Sequence, residues 1–131
     1  VTLAARSATV LRCEGTGDGG LFTGILVRYL ALAAADARLP AESRATAAML
    51  VNDTAAAFWE GRRVVSAEEP LARRGTRMVF SARPEVPAAL SYPAGAAVEL
   101  STQLQAWMVL EAAASIAEKA GHPAPGTPAG N

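Results

Sequence analysis

One run, Gly20 to Ala37 (GLFTGILVRYLALAAADA), restricts what this chain can fold into more than any other part of it. Phe22, Ile25, Leu26, Tyr29, Leu30 and Ala33 recur at spacings of three and four, which predicts a helix with a broad buried face. Asp18 and the glycines beside it supply a turn just upstream and a candidate cap. A helix this apolar cannot face water alone. It needs at least two neighbours, and two later stretches have the spacing to serve.

The first of these spans about 43–59, where Ala45, Ala48, Met49, Ala55, Ala56 and Trp59 line one side and Leu50 and Phe58 widen it. Asn52 falls within that side, as a buried amide bonded to a neighbouring loop or as a ligand-binding group. Pro40, just upstream, suits a loop or a first helical turn. The second stretch runs from about 98 to 120 and carries Leu100, Leu104, Trp107, Met108, Leu110, Ala114 and Ile116, with Lys119 suited to its last turn and Gly121 to the residue beyond. Glu111 interrupts its apolar run, as a carboxylate that bonds across a helix interface, binds a polar ligand or reaches out to water.

The remaining segments read as connections. Thr2 to Arg12 is a short helix or the tail of one, with an incomplete apolar face of Leu3, Val10 and Leu11. Cys13 to Gly20 (CEGTGDGG) holds four glycines in eight residues, so it is a loop. Its glycine spacing matches neither a dinucleotide fingerprint nor a P-loop, and no strand pattern precedes it. Residues 61–93 alternate charged clusters with proline and glycine, as an exposed excursion does, although Thr76 to Ser81 (TRMVFS) suits a short strand or extended arm. Beyond His122, PAPGTPAGN has the composition of a disordered tail.

Composition narrows the chemistry. Twelve basic and twelve acidic side chains cancel, and the arginines at 62, 63, 73, 74, 77 and 83 are interspersed with glutamates and lack a row of aromatic partners, so neither nucleic acid nor an anionic membrane is the expected partner. Arg28 and Asp36 interrupt the longest apolar helix, so no membrane span is expected. The apolar run at the start is too short for a secretory signal, and a first residue that is valine suggests that the chain begins inside a longer product or at an unusual codon. Cys13 is the only cysteine and His122 the only histidine, which argues against an internal disulfide, a cysteine-built metal site and a histidine cluster. No cofactor motif is present in the sequence. Although 51% of the residues are apolar, much of that is alanine, so the core is thinner than the percentage suggests.

Three blocks in order resemble glycoside hydrolase family 76, the bacterial and fungal endo-α-1,6-mannanases. CEGTGDGGLFTGILVRYL, residues 13–30, is similar to the family's acidic loop and following helix: Phe22, Gly24, Ile25, Arg28, Tyr29 and Leu30 fit its Phe-Lys-Gly-Ile and Arg-Tyr-Leu pattern, with Thr23 in place of the lysine. Thr54, Ala55 and Trp59 resemble an Asn-Ala pair followed by tryptophan, with Thr54 at the asparagine position. STQLQAWMVLEAAA resembles the glutamine-containing last helix and places Gln103 and Glu111 in the matched block.

The resemblance implies an all-α fold: a helical-hairpin portion, at residues 1–122, of an (α/α)6 toroid of six inner and six outer helices around a mannan groove, with three main helices, one long irregular loop and a disordered tail at 123–131. The family carries catalysis on two consecutive aspartates in an earlier helix, whereas the aspartates here are 18, 36 and 53. The expected function is therefore that of a carboxy-terminal part of an α-1,6-mannan hydrolase that is inactive alone, with no catalytic residue of its own. Asp18, Arg28, Tyr29, Gln103 and Glu111 are its substrate-binding candidates, because carboxylate, amide and guanidinium groups bond sugar hydroxyls and aromatic faces cover their apolar side. The alternative is a small non-catalytic helical protein that binds a carbohydrate or a partner protein. Family members are often secreted or cell-surface proteins. Three helices taken from a closed ring leave Phe22, Tyr29 and Trp107 uncovered, so the expected partners, besides mannan or a related polysaccharide, are the amino-terminal half of the domain or a second copy of the chain.

Overall fold

The structure, a computed structural model, describes residues 9–13 and 17–121, and of Asp18 the backbone alone. Most of the expected helix at 2–12, His122 and the tail lie outside the described residues. A 3-10 turn at Gly17–Leu21 leads into α1 (Phe22–Ala35), followed by α2 (Ala41–Glu60), β1 (Arg63–Val64), α3 (Pro70–Arg73), β2 (Met78–Val79), α4 (Ala88–Ser91) and α5 (Leu100–Lys119). The fold is helical, as expected, and α1, α2 and α5 are its frame.

Each long helix ends where its sequence provides a stop. Pro40 occupies the N-cap of α2, where its fixed φ and missing N–H cost nothing. Lys119 closes α5 within the negative end of the helix dipole, and Gly121, at φ +86°, then turns the chain away in a conformation that a side chain would resist. The start of α1 differs from expectation. Its N-cap is Leu21, without a side-chain cap bond, because the 3-10 turn feeds directly into the helix and leaves position 18 too early to cap it.

The five residues between α1 and α2 make these two helices an antiparallel hairpin. α5 runs parallel to α1: Gly24 lies against Gln105 and Met108 at one end, while Ala34 and Ala35 share a cleft with Ile116 and Lys119 at the other. Between the three helices lies a core of Val27, Ala31, Val51, Ala55, Phe58, Ala106, Val109 and Ala112, joined by Cys13 from the segment before the turn. Phe58 is the largest fully buried side chain, and its burial contributes about 1.5–3 kcal/mol.

The faces that make this core are not the faces the apolar spacing singles out. α1 buries Thr23, Gly24, Val27 and Ala31, whereas Phe22 and Tyr29 are 69% and 67% exposed and Ile25 and Leu26 are also exposed. α2 buries Ala47, Val51, Thr54, Ala55 and Phe58, leaving Met49, Asn52 and Trp59 outside, so Asn52 is not a buried amide. α5 buries Thr102, Gln105, Ala106, Val109 and Ala112, with Leu100, Leu104 and Trp107 exposed, Trp107 at 61%. The cause is close approach. Gly24 leaves 3.0 Å between an ideal Cβ position and Met108 Sδ, and small residues on the facing sides let the backbones meet where larger ones would hold them apart.

Residues 61–99 are more ordered than an exposed excursion. β1 and β2 pair antiparallel, Arg63 with Val79 and Val64 with Met78, so the strand expected within 76–81 is present but short. Val65, Val79 and Tyr92 form a second small core. Beside it Arg63 donates from Nη1 to both oxygens of Glu69 at 2.8 and 2.9 Å and from Nε to the Tyr92 carbonyl at 2.9 Å. The Ser66 amide donates to Glu69 at 2.8 Å, and this bond, with the Arg63 contacts, holds the Glu69 carboxyl below its ordinary range. The loop is tied to α5 twice: Gln103 donates to the Phe80 carbonyl at 2.7 Å and accepts from the Phe80 amide at 2.8 Å, and Tyr92 and Thr102 share a hydroxyl bond of 2.8 Å.

Candidate functional site

Of the five substrate-binding candidates, the four whose side chains are described do not all line one groove. Arg28 and Glu111 do meet, as opposite walls of an open groove of about 560 Å³ between α1 and α5. Ala31, Leu32, Met108 and Ala112 give the groove an apolar lining, to which Ser115 and Lys119 add polar groups. The pairing follows from the parallel register. Gly24 is level with Gln105 and Met108, so one helical turn later Arg28 is level with Glu111. Among the described residues neither forms a hydrogen bond or ion pair, so both heads are available to a polar ligand.

Tyr29 stands outside this groove, on the outward face of α1, a step of about 100° around the helix from Arg28. Gln103 is on another flank of α5, and its amide is taken up by the Phe80 backbone. It therefore shapes the loop beside α5 rather than presenting a free amide. The backbone of Asp18 lies in the 3-10 turn, which is joined to α5 by a bond from the Gly17 amide to Glu99 Oε2 at 3.2 Å; the side chain of Asp18 lies outside the described residues.

Two threonines matter to this end of the molecule in a way the sequence did not single out. Thr23 Oγ1 donates to the Arg12 carbonyl at 2.6 Å, and Thr54 Oγ1 accepts from the Leu11 amide at 2.9 Å while donating to the Leu50 carbonyl at 2.7 Å. Together they hold residues 11–12, just before the glycine-rich loop, against α1 and α2.

The acid–base inventory is one-sided. Asp36, in the exposed turn after α1, accepts from Arg38 Nε at 3.0 Å and Nη2 at 2.9 Å, and the Arg38 contacts lower its carboxyl. Asp36 and Glu69 are thus both held ionised, opposite to what a general acid working near neutrality needs. Gln105 is buried with its Oε1 unpartnered, but it faces the core and lines no described groove. Among the described residues there is no cluster of three or more metal-ligating side chains, and no helix is long and apolar enough to cross a membrane.

No protein-family model and no curated protein matches the chain. Among solved structures it is similar to the GH76A α-1,6-mannanase from Salegentibacter sp. HEL1_6, at 33% identity and a TM-score of 0.60 over 82% of this chain and 27% of that one. It is similar, at 33% identity, a TM-score of 0.56 and the same coverage, to an inactive variant of that mannanase in which two consecutive aspartates are asparagines, in complex with α-1,6-mannotriose. The matched share of the mannanase is well under half, whereas most of the described chain takes part. With sequence blocks, helical architecture and this likeness in agreement, the chain is a GH76-like helical segment.

Proposed function

We propose that this chain is a carboxy-terminal part of an α-1,6-mannan hydrolase fold, that it contributes one wall of a mannan-binding groove, and that it does not cleave the glycosidic bond by itself. The likeness to a mannanase whose inactive variant holds α-1,6-mannotriose is the observation that carries this reading. Arg28 and Glu111 are the sugar-binding groups within the groove, and Asp18 and Tyr29 are further sugar contacts beyond its lining. Gln103 acts indirectly, by holding the loop at Phe80. Glycoside hydrolysis needs two carboxyl groups facing each other across the bond, one of them protonated. This chain has no Asp-Asp pair, and Asp36 and Glu69 are each committed to an arginine.

The test is to incubate residues 1–131 with linear α-1,6-mannan beside an active GH76 mannanase and to count new reducing ends. The expected result is no turnover by the short chain, with α-1,6-mannotriose binding weakened about tenfold or more by Arg28→Ala or Glu111→Ala. Turnover by the short chain that disappears in Glu111→Gln overturns the non-catalytic reading. The exposed aromatic face of α1 and α5 favours a second reading, a helical module whose ligand is a protein. Mannotriose binding that ignores both alanine variants favours that reading instead.

A further inference from the structure

A second cleft, of about 530 Å³, opens where the last turns of α1 and α5 meet the start of α2. Ala34, Ala35, Ala45 and Ala48 are among its walls, and Arg44 and Lys119 are its only charged lining residues. Lys119 also lines the groove between Arg28 and Glu111, so the two spaces meet at this side chain. Glu111, Ser115 and Lys119 follow one another at intervals of four residues. That spacing sets them in a row about 12 Å long on one side of α5, leading from the groove to the cleft.

Charge is distributed unevenly along this path. In the groove Arg28 and Glu111 offset one another, which suits an uncharged saccharide. In the second cleft two cations stand without an acid among the lining residues. Of the Arg44 side chain only Nε is engaged, by the Leu39 carbonyl at 3.2 Å, and Lys119 forms no hydrogen bond or ion pair among the described residues. Asp36 feels the charge of Arg44, but both of its carboxylate oxygens are taken by Arg38. Two unneutralised cations beside alanine walls match a dianion, and a phosphate monoester carries about 1.5 to 2 negative charges near pH 7. We propose that the groove and this cleft together bind a saccharide with a terminal phosphate monoester, the sugar at Arg28 and Glu111 and the phosphate between Lys119 and Arg44. This inference rests on the saccharide-binding reading and names the class of saccharide.

The experiment is isothermal titration calorimetry of the 131-residue chain with α-1,6-mannotriose, with the same trisaccharide phosphorylated at its terminal 6-hydroxyl, and with inorganic phosphate. The phosphorylated trisaccharide should bind about tenfold or more tighter than the neutral one and than inorganic phosphate, and its advantage should shrink as salt rises. Arg44→Gln should remove most of the advantage while leaving the affinity for neutral mannotriose as it was, because Arg44 lies outside the groove. Lys119→Gln should remove it as well. Both side chains reach solvent, so circular dichroism of either variant should match that of the parent chain. Mannotriose binding with no gain from the phosphate overturns this inference and leaves the saccharide reading standing, whereas binding of neither trisaccharide overturns both. A gain that survives both substitutions puts the phosphate elsewhere and overturns the inference. Inorganic phosphate held as tightly as the phosphorylated trisaccharide shows an anion site that ignores the sugar, which overturns it too.

Discussion

Cys13 shows how a single residue's surroundings set its chemistry. The thiol is packed into the three-helix core, and burial pushes it up from 9.0 to about 11, with a bond to Thr23 acting the other way. Thiolate is the reactive form, so at pH 7.5 Cys13 should react with iodoacetamide at least about tenfold more slowly in the native chain than in urea. Equal rates would mean that the segment before the 3-10 turn opens freely. The pH dependence of stability follows from the same shift. Below pH 9 the thiol is neutral in both states and its contribution is intact; as pH rises from 9 towards 11 the unfolded chain ionises first and the contribution is lost. The urea midpoint should therefore fall less steeply between pH 9 and 11 in Cys13→Ala than in the parent chain. The sequence marked Cys13 only as solitary, because neither its burial nor Thr23's bond to the Arg12 carbonyl is a local property.

Between elements, the contact of α1 with α5 rests on the absence of a side chain at Gly24. A Cβ there would lie 3.0 Å from Met108 Sδ and 3.4 Å from Gln105 Cα. Met108 is flexible and can give way, and alanine gains about 1 kcal/mol of helix propensity over glycine, so Gly24→Ala should be close to neutral. Gly24→Leu has no such escape, because the Gln105 backbone blocks it, and it should cost about 1–3 kcal/mol by urea denaturation. A leucine variant as stable as the parent would show that α1 and α5 do not pack as described. All three long helices were legible from apolar residues at spacings of three and four, and their ends from Pro40, Lys119 and Gly121. Their packing sides were not. α1 is apolar nearly all round, so spacing alone cannot tell a side that packs through Gly24 and Ala31 from one that displays Phe22 and Tyr29.

Over the whole molecule, two cores are joined by a few bonds: the helical core around Phe58 and the loop core around Val65, Val79 and Tyr92. Replacing Gln103 with leucine removes both bonds to Phe80 and leaves a main-chain N–H and C=O unpaired, which should cost about 2–3 kcal/mol. Amide exchange at 78–81 should then accelerate while α1 and the buried side of α5 keep their protection. Acceleration throughout would show the two cores to be one cooperative unit. The candidate site divides the same way. Arg28 and Glu111 stood out in the sequence as charges in apolar helices, and the structure places them in one groove, but the roles of Gln103, Thr23 and Thr54 came into view only with their backbone partners. By itself the sequence determined what lies within reach of a few residues: three helices, their stops, the glycine-rich turn and the resemblance that survives comparison with a mannanase. Tertiary structure alone decided which helix sides meet and that residues 61–99 fold onto α5, because close approach and backbone pairing depend on groups more than twenty residues apart, as Phe80 and Gln103 are.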